Sequence, residues 1–187
     1  MDIKYTLSTI LTEIDTVFNL LEQDQLNQVA SQLAKHKGNI ILTGAGRVGY
    51  AVKGFSMRLS HLGLKSYFIG DSNVPSIGDG DILFVASGSG ETQTIYDIVT
   101  IAHSKGAKII CVTSNELSRI GKLAHLKVIL STPSKNNRSC NLVNSVQPMT
   151  TLNEQCLLLL LDALVLLLMN IMNETNTSMW NRHSNLE

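Results

Sequence analysis

The sequence has no surplus of either charge. Fifteen Lys and Arg balance fifteen Asp and Glu, so no net positive field invites a nucleic acid or an anionic membrane surface. A small molecule is the expected partner. Cysteine is scarce: Cys111, Cys140 and Cys156 form neither an even disulfide framework nor a set at metal-ligand spacing. His36, His103 and His125 are not at ligand spacing with one another or with the cysteines, so no metal site is expected. The opening Met1-Asp2-Ile3-Lys4 carries no apolar leader, which makes a reducing cytoplasm the expected compartment. Long apolar runs are also missing. Leu157 to Leu161 and Ala163 to Met169 are interrupted by Asp162, and the run falls short of the roughly 20 residues a bilayer requires. This stretch is expected to be a buried helix with Asp162 as a buried structural acid. Its apolar residues keep to no single stripe, so its own core or another subunit must cover most of its sides.

What is present fits one core. A chain of 187 residues that is 44% apolar is long enough for one full domain and short for two, so residues 1–187 are expected to form a single unit. Apolar residues at helical spacing run from Ile3 to Lys37, predicting one or two amphipathic helices at about 3–37. Short apolar strands are expected at Ile40 to Thr43, Ser66 to Ile69, Ile82 to Ala86, Lys108 to Thr113 and Lys127 to Leu130, with helices at about Val48 to His61, Gln93 to Ser104 and Leu117 to Ala124. Strands that alternate with helices, without Asn-Gly hairpin turns, favour parallel pairing and right-handed crossovers. The expected fold is α/β, a doubly wound parallel sheet with helices on both faces. The polar stretch Thr132 to Asn144, with Pro133, Lys135, Asn136, Asn137 and Arg138, reads as a surface loop. A long final helix is expected to begin at Val146 to Pro148, and a polar tail completes the region of about 146–187.

Two glycine-rich turns follow strands and open helices. Gly44-Ala45-Gly46-Arg47-Val48-Gly49 matches G-x-G-x-x-G, and Asp71 stands near the place of a ribose-binding acid. A nicotinamide-dependent dehydrogenase is therefore one reading, and a turn without a ligand is another. The second turn, Ser87-Gly88-Ser89-Gly90-Glu91-Thr92, points elsewhere. Its glycines admit close backbone approach, its hydroxyls can donate, and the free amides of a helix start complement an anion. It is a phosphate cradle without a Walker lysine. Helix capping would account for one hydroxyl of the cluster but not for all of it.

Ser87 to Thr92 resembles the S-x-S-G-E-T signature of the sugar isomerase (SIS) domain family, and Gly44-x-Gly46-Arg47 resembles that family's first-strand turn. The segments Arg58 to Gly63, Gln147 to Glu154 and Arg182 to Glu187 extend the resemblance over nearly the whole chain. Val48 and Thr150 stand where the family usually carries serine and glycine. The resemblance implies a five-stranded parallel sheet, a homotetramer, and a cofactor-free interconversion of 3-hexulose 6-phosphate with fructose 6-phosphate. An isomerase of another ketose or aldose phosphate and a non-catalytic sugar-phosphate sensor are the alternatives within the same fold.

Moving a carbonyl from C3 to C2 of a sugar requires a base that carries a proton between neighbouring carbons through an enediol. Glu154, at the start of the final helix, is the expected base, with a surface or capping glutamate as its other reading. His61 and His183 are the candidate acids. His61 could equally be a packed helix-end histidine, and His183 reaches a site only if the tail folds back or crosses to another subunit. Arg47 can pair with phosphate or sugar oxygens. Gly44, Gly46, Ser87, Gly88, Ser89, Gly90 and Thr92 complete the expected binding set, together with Glu91, for which capping serves as well as catalysis.

Overall fold

The computed structural model describes residues 2–134 and 143–186. Helix α1 (Ile3–Phe18) buries Ile14 and Val17, and α2 (Gln23–Ala34) buries Val29, Ala30 and Leu33. Then follow β1 (Ile40–Gly44), α3 (Gly46–His61), β2 (Ser66–Phe68), β3 (Ile82–Ala86), α4 (Gln93–Ser104), β4 (Lys108–Thr113), α5 (Arg119–Leu123), β5 (Leu126–Ile129), α6 (Thr151–Met172) and α7 (Asn176–Trp180). The five strands are parallel in the order β2-β1-β3-β4-β5. Central β3 is buried at all five positions, which is why it reads as a continuous apolar run rather than an alternating one. Ile82, Phe84 and Ala86 enter a core shared with α1, α2, α3 and α6. Leu83 and Val85 enter a second core with α4 and α5.

The strand order reverses between β1 and β3. The chain leaves β1 toward β2 on one side, and from β3 it proceeds to β4 and β5 on the other. In open parallel sheets the crevice beyond the carboxyl ends of the strands at such a reversal is the place for a ligand.

Helix α6 lays Leu152, Cys156, Leu157, Leu160, Leu161, Leu164 and Leu168 into the first core. Each fully buried leucine contributes about 1.5–3 kcal/mol. Its other face leaves Leu158, Leu159, Leu166 and Ile171 exposed. Two expectations are corrected here. The helix has 22 residues and by length and composition alone could cross a bilayer. Asp162 is exposed rather than buried, because it follows two inward positions and points away from the core.

The final helix starts at Thr151, not at Val146 to Pro148. Met149 has a φ of +57°, a left-handed conformation that a right-handed helix cannot contain. The residues before it form a strap held by Glu13 of α1, whose carboxylate accepts bonds from Ser145 Oγ at 2.7 Å, Val146 N at 2.8 Å and Gln147 Nε2 at 2.9 Å. The expected surface loop Thr132 to Asn144 is also corrected at its ends. Thr132, Ser134 and Val143 are buried, while 135–142, including Cys140, lies outside the described residues. The polar tail contains α7, opened by a reciprocal capping box between Thr175 and Ser178.

Candidate active site

The turns after β1 and β3 flank the reversal point, and the start of α6 closes the space between them. The result is a cleft of about 730 Å³ whose wall includes Gly46, Arg47, Val48, Ser87, Gly88, Ser89, Thr92, Asn153 and Glu154. The strap adds Ser145, Gln147, Met149 and Thr150, and the segments flanking 135–142 add Pro133, Ser134 and Asn144.

The cradle is rigid because its backbone is bonded from behind. Ser87 N donates to Val112 O at 3.0 Å and Gly90 N to Ser87 O at 3.0 Å. Gly88 O accepts from Ser114 N at 3.0 Å and Ser114 Oγ at 2.8 Å. Gly90 has a φ of +64°, and a Cβ there would lie 2.0 Å from Ser118 Oγ, so no other residue fits. The hydroxyls are not consumed by capping. Thr92 is the N-cap of α4 but makes no side-chain cap bond, and it lies 3.5 Å from Ser87 Oγ. Ser89 Oγ accepts from Glu91 N at 3.2 Å and keeps its own hydrogen for another acceptor.

Opposite the cradle, Glu154 Oε1 accepts from Thr150 Oγ1 at 2.9 Å. Its Oε2 lies 2.8 Å from Arg47 Nη1 as an ion pair and has no further partner among the described residues. The Glu154 side chain is 15% exposed and that of Arg47 59%, so the arginine covers the carboxylate from the solvent side. Thr150, at the family's usual glycine position, has a φ of −111° and needs no glycine there. Val48, at the usual serine position, presents methyl groups to the cleft wall.

Five expected residues are placed elsewhere. Glu91 turns out of the cleft: its Oε1 accepts from Arg119 N at 3.0 Å and its Oε2 from Arg119 Nε at 2.7 Å. Those bonds, first the backbone one, hold its carboxyl below the usual range. Its place is a brace behind the cradle, tying it to α5. Gly44 lies under the turn, where the backbone of Gly49 packs against it, and Gly90 backs onto Ser118. His61 and His183 do come together, but at the far end of α3. Their rings are 5.2 Å apart, His183 is 4.9 Å from Trp180, and Arg182 Nη1 donates to His61 O at 2.9 Å. The tail folds back as one expectation had it, yet it reaches His61 and not the cleft, because α3 runs away from the carboxyl edge of the sheet. The two histidines border a separate cavity of about 320 Å³.

Sequence reasoning missed Asn153, Glu13 and the strap. Glu13 bonds residues more than 130 positions away, which no local pattern reveals. Burial works to raise its pKa, but the bonds from Gln147, Val146 and Ser145 outweigh burial and hold the carboxyl below its usual value. The dinucleotide reading loses its acid: Asp71 pairs with Lys53 at 2.9 Å. The strand order also differs from the 3-2-1-4-5-6 order of dinucleotide-binding sheets.

A parallel five-stranded sheet with a hydroxyl-rich anion cradle and a carboxylate facing each other across its reversal point defines a sugar-phosphate-binding α/β domain. The SIS domain model matches residues 32–160, and the chain belongs to that family. It is 37% identical over 164 residues to the 3-hexulose-6-phosphate isomerase of Bacillus subtilis, spanning 86% of this chain and 88% of that one. It is 32% identical over 186 residues to the 3-hexulose-6-phosphate isomerase of Mycobacterium gastri, spanning 100% of this chain and 92% of that one. A protein of Methanococcus jannaschii, whose crystal structure was read as inferring the function of 3-hexulose-6-phosphate isomerase, superposes with a TM-score of 0.84. That match has 28% identity and covers 98% of this chain and 99% of the other.

Proposed function

We propose that this chain is an isomerase that interconverts 3-hexulose 6-phosphate and fructose 6-phosphate through an enediol, without metal or organic cofactor. The observation that carries the reading is the pairing of Glu154 with the Ser87–Thr92 cradle across one cleft. The phosphate on C6 lies against Ser87, Ser89, Thr92 and the opening amides of α4, which complement its charge. The exposed Arg47 shifts from Glu154 to ligand oxygens, leaving the carboxylate to work. Glu154 removes the proton from C2 of the 3-ketose, a 2,3-enediol forms as the C3 carbonyl oxygen gains a proton, and the carbon-bound proton returns at C3 while the C2 hydroxyl becomes the carbonyl.

His61 and His183 act in this reading on a neighbouring protomer's cleft, which requires a closed oligomer. A homotetramer is supported by the apolar faces left uncovered: Ile3, Leu7 and Leu11 on α1, Leu158, Leu159, Leu166 and Ile171 on α6, and Trp180 on α7. We place the enzyme in the cytoplasm and treat the chain as one SIS domain. Buried thiols at Cys111 and Cys156, pushed up to about 12 by burial, suit a reducing compartment.

The test is direct. Protein dialysed against chelator should convert fructose 6-phosphate to the 3-hexulose isomer and back, followed by trapping either ketose. Loss of turnover that added metal restores would overturn the cofactor-free mechanism. Tight ligand binding with no turnover would favour a sugar-phosphate sensor.

A further inference from the structure

The roles above leave Asn153 unused, although its carboxamide lies among the buried residues of α6. It is 3% exposed, sits beside Glu154 and borders the cleft. Its nitrogen is committed on the inner side: Nδ2 donates to Thr132 Oγ1 at 2.8 Å and to Ser114 Oγ at 3.3 Å. The Ser114 hydroxyl hydrogen goes to Gly88 O at 2.8 Å, so Ser114 Oγ can only accept from Asn153, and this fixes which way the amide points. Oδ1 is left toward the cradle. A Cβ on Gly88 would come within 2.9 Å of it, so the oxygen stands at the cradle's edge of the cleft. With its orientation fixed from behind, the oxygen is an acceptor that a ligand donor in the cleft can meet.

We propose that Asn153 is a substrate-orienting residue whose Oδ1 accepts a hydrogen bond from a hydroxyl of the open-chain sugar phosphate, between the anchored phosphate and the carbon that Glu154 deprotonates. The inference rests on the isomerase reading for its substrate class. A phosphate oxygen that has no hydrogen cannot use this acceptor, whereas a sugar hydroxyl can, so Asn153 distinguishes the sugar from the anion. Sites that hydrogen-bond a substrate hydroxyl discriminate strongly against ligands that lack it. The Ser114–Thr132 pair supplies the positioning, because it ties the carboxamide to the same Gly88 carbonyl that shapes the cradle.

Calorimetric binding of fructose 6-phosphate and of inorganic phosphate tests it. Asn153→Leu keeps the volume and removes the acceptor. It should weaken fructose 6-phosphate by about tenfold or more and raise KM in step, while phosphate affinity stays within about twofold. Equal weakening of both ligands would mean that Asn153 only supports the cradle, and unchanged sugar-phosphate affinity would mean that no hydroxyl meets it. Either result overturns the proposal. Thr132→Val lies outside the cleft and releases the carboxamide without removing it. It should weaken the sugar phosphate by about threefold and spare phosphate, and it decides the matter if Asn153→Leu does not fold. An unchanged sugar-phosphate affinity in folded Thr132→Val overturns the positioning argument. Wild-type protein that binds fructose 6-phosphate without isomerising it defeats the enzyme reading alone, since the affinity ratio still measures Asn153.

Discussion

Helix α3 separates two groups of chemically capable side chains by its own length, about 24 Å for sixteen residues. At its first turn, Arg47 stands beside Glu154, the cradle and Asn153. At its last, His61 stands beside Arg58, His183 and Trp180. The first group keeps hydrogen-bonding capacity in hand: the Thr92 hydroxyl caps nothing, and Glu154 Oε2 is held only by the exposed Arg47. The second group is engaged with itself through tilted ring contacts and through Arg182, which bridges His61 O and Glu174. Residue type alone would rank the histidine end as the more catalytic. Available capacity around a cleft ranks the other end first, and it leaves the histidines outside that cleft.

The sharpest break in this comparison is Glu154→Gln. It keeps size and polarity and removes the base, so kcat should fall by roughly a hundredfold or more while phosphosugar affinity changes little. Near-normal turnover would remove Glu154 as the base. Loss of binding as well would mean that the carboxylate holds the cleft together. Next in size is Leu166→Glu on the exposed face of α6, which places a charge where a second copy should pack. Light scattering should show smaller species, and turnover should fall by about a hundredfold, the lower end of the range for a lost general acid. Dissociated protein with full turnover would confine catalysis to one protomer and take His61 and His183 out of the mechanism.

The sheet was legible because its signals are local. Ile82 to Ala86 is a continuous apolar run bounded by polar turns, and Gln93 to Ser104 matches α4 at both ends. The cradle was legible for the same reason, as one uninterrupted hydroxyl and glycine motif. What failed to show was everything fixed by distant partners. Glu91 looks like a site residue because it adjoins the cradle, but its direction is set by Arg119, 28 positions on. The start of α6 was misplaced because proline at a first helical turn is a common pattern, while the strap that excludes helix there depends on Glu13. Asn153 did leave a trace, a carboxamide beside Glu154 just ahead of the apolar run from Cys156. Its meaning needed Thr132 and Ser114 beside it.

Within the cleft end, Ser89→Ala sharpens the division between anchoring and chemistry. A hydrogen bond to a charged group contributes about 1.5–3 kcal/mol, so the affinity for phosphorylated ligands should fall about tenfold, with kcat at saturation nearly kept. Competition by inorganic phosphate checks it. A fall confined to kcat would move Ser89 from the anchor to the reacting end.

The smallest effect is expected where α1 meets the cleft, at Glu13. Its carboxylate accepts from Ser145, Val146 and Gln147, and its folded pKa lies below the usual value. A carboxyl with a depressed folded pKa contributes stability that is present above its unfolded pKa and is lost as pH falls through the folded one. Glu13→Gln keeps one acceptor and loses the charge, so it should cost about 1 kcal/mol near neutral pH. The cost should shrink toward zero as pH drops below about 4, where the native carboxyl is protonated as well. Thermal unfolding of both proteins across that range reads the difference. A gap that persists in acid would show that the strap is held by shape and not by charge. Because the strap carries Gln147, Met149 and Thr150 into the cleft wall, the same variant should raise KM modestly near neutral pH. A stability loss with no change in KM would separate the strap's anchoring from the site it borders.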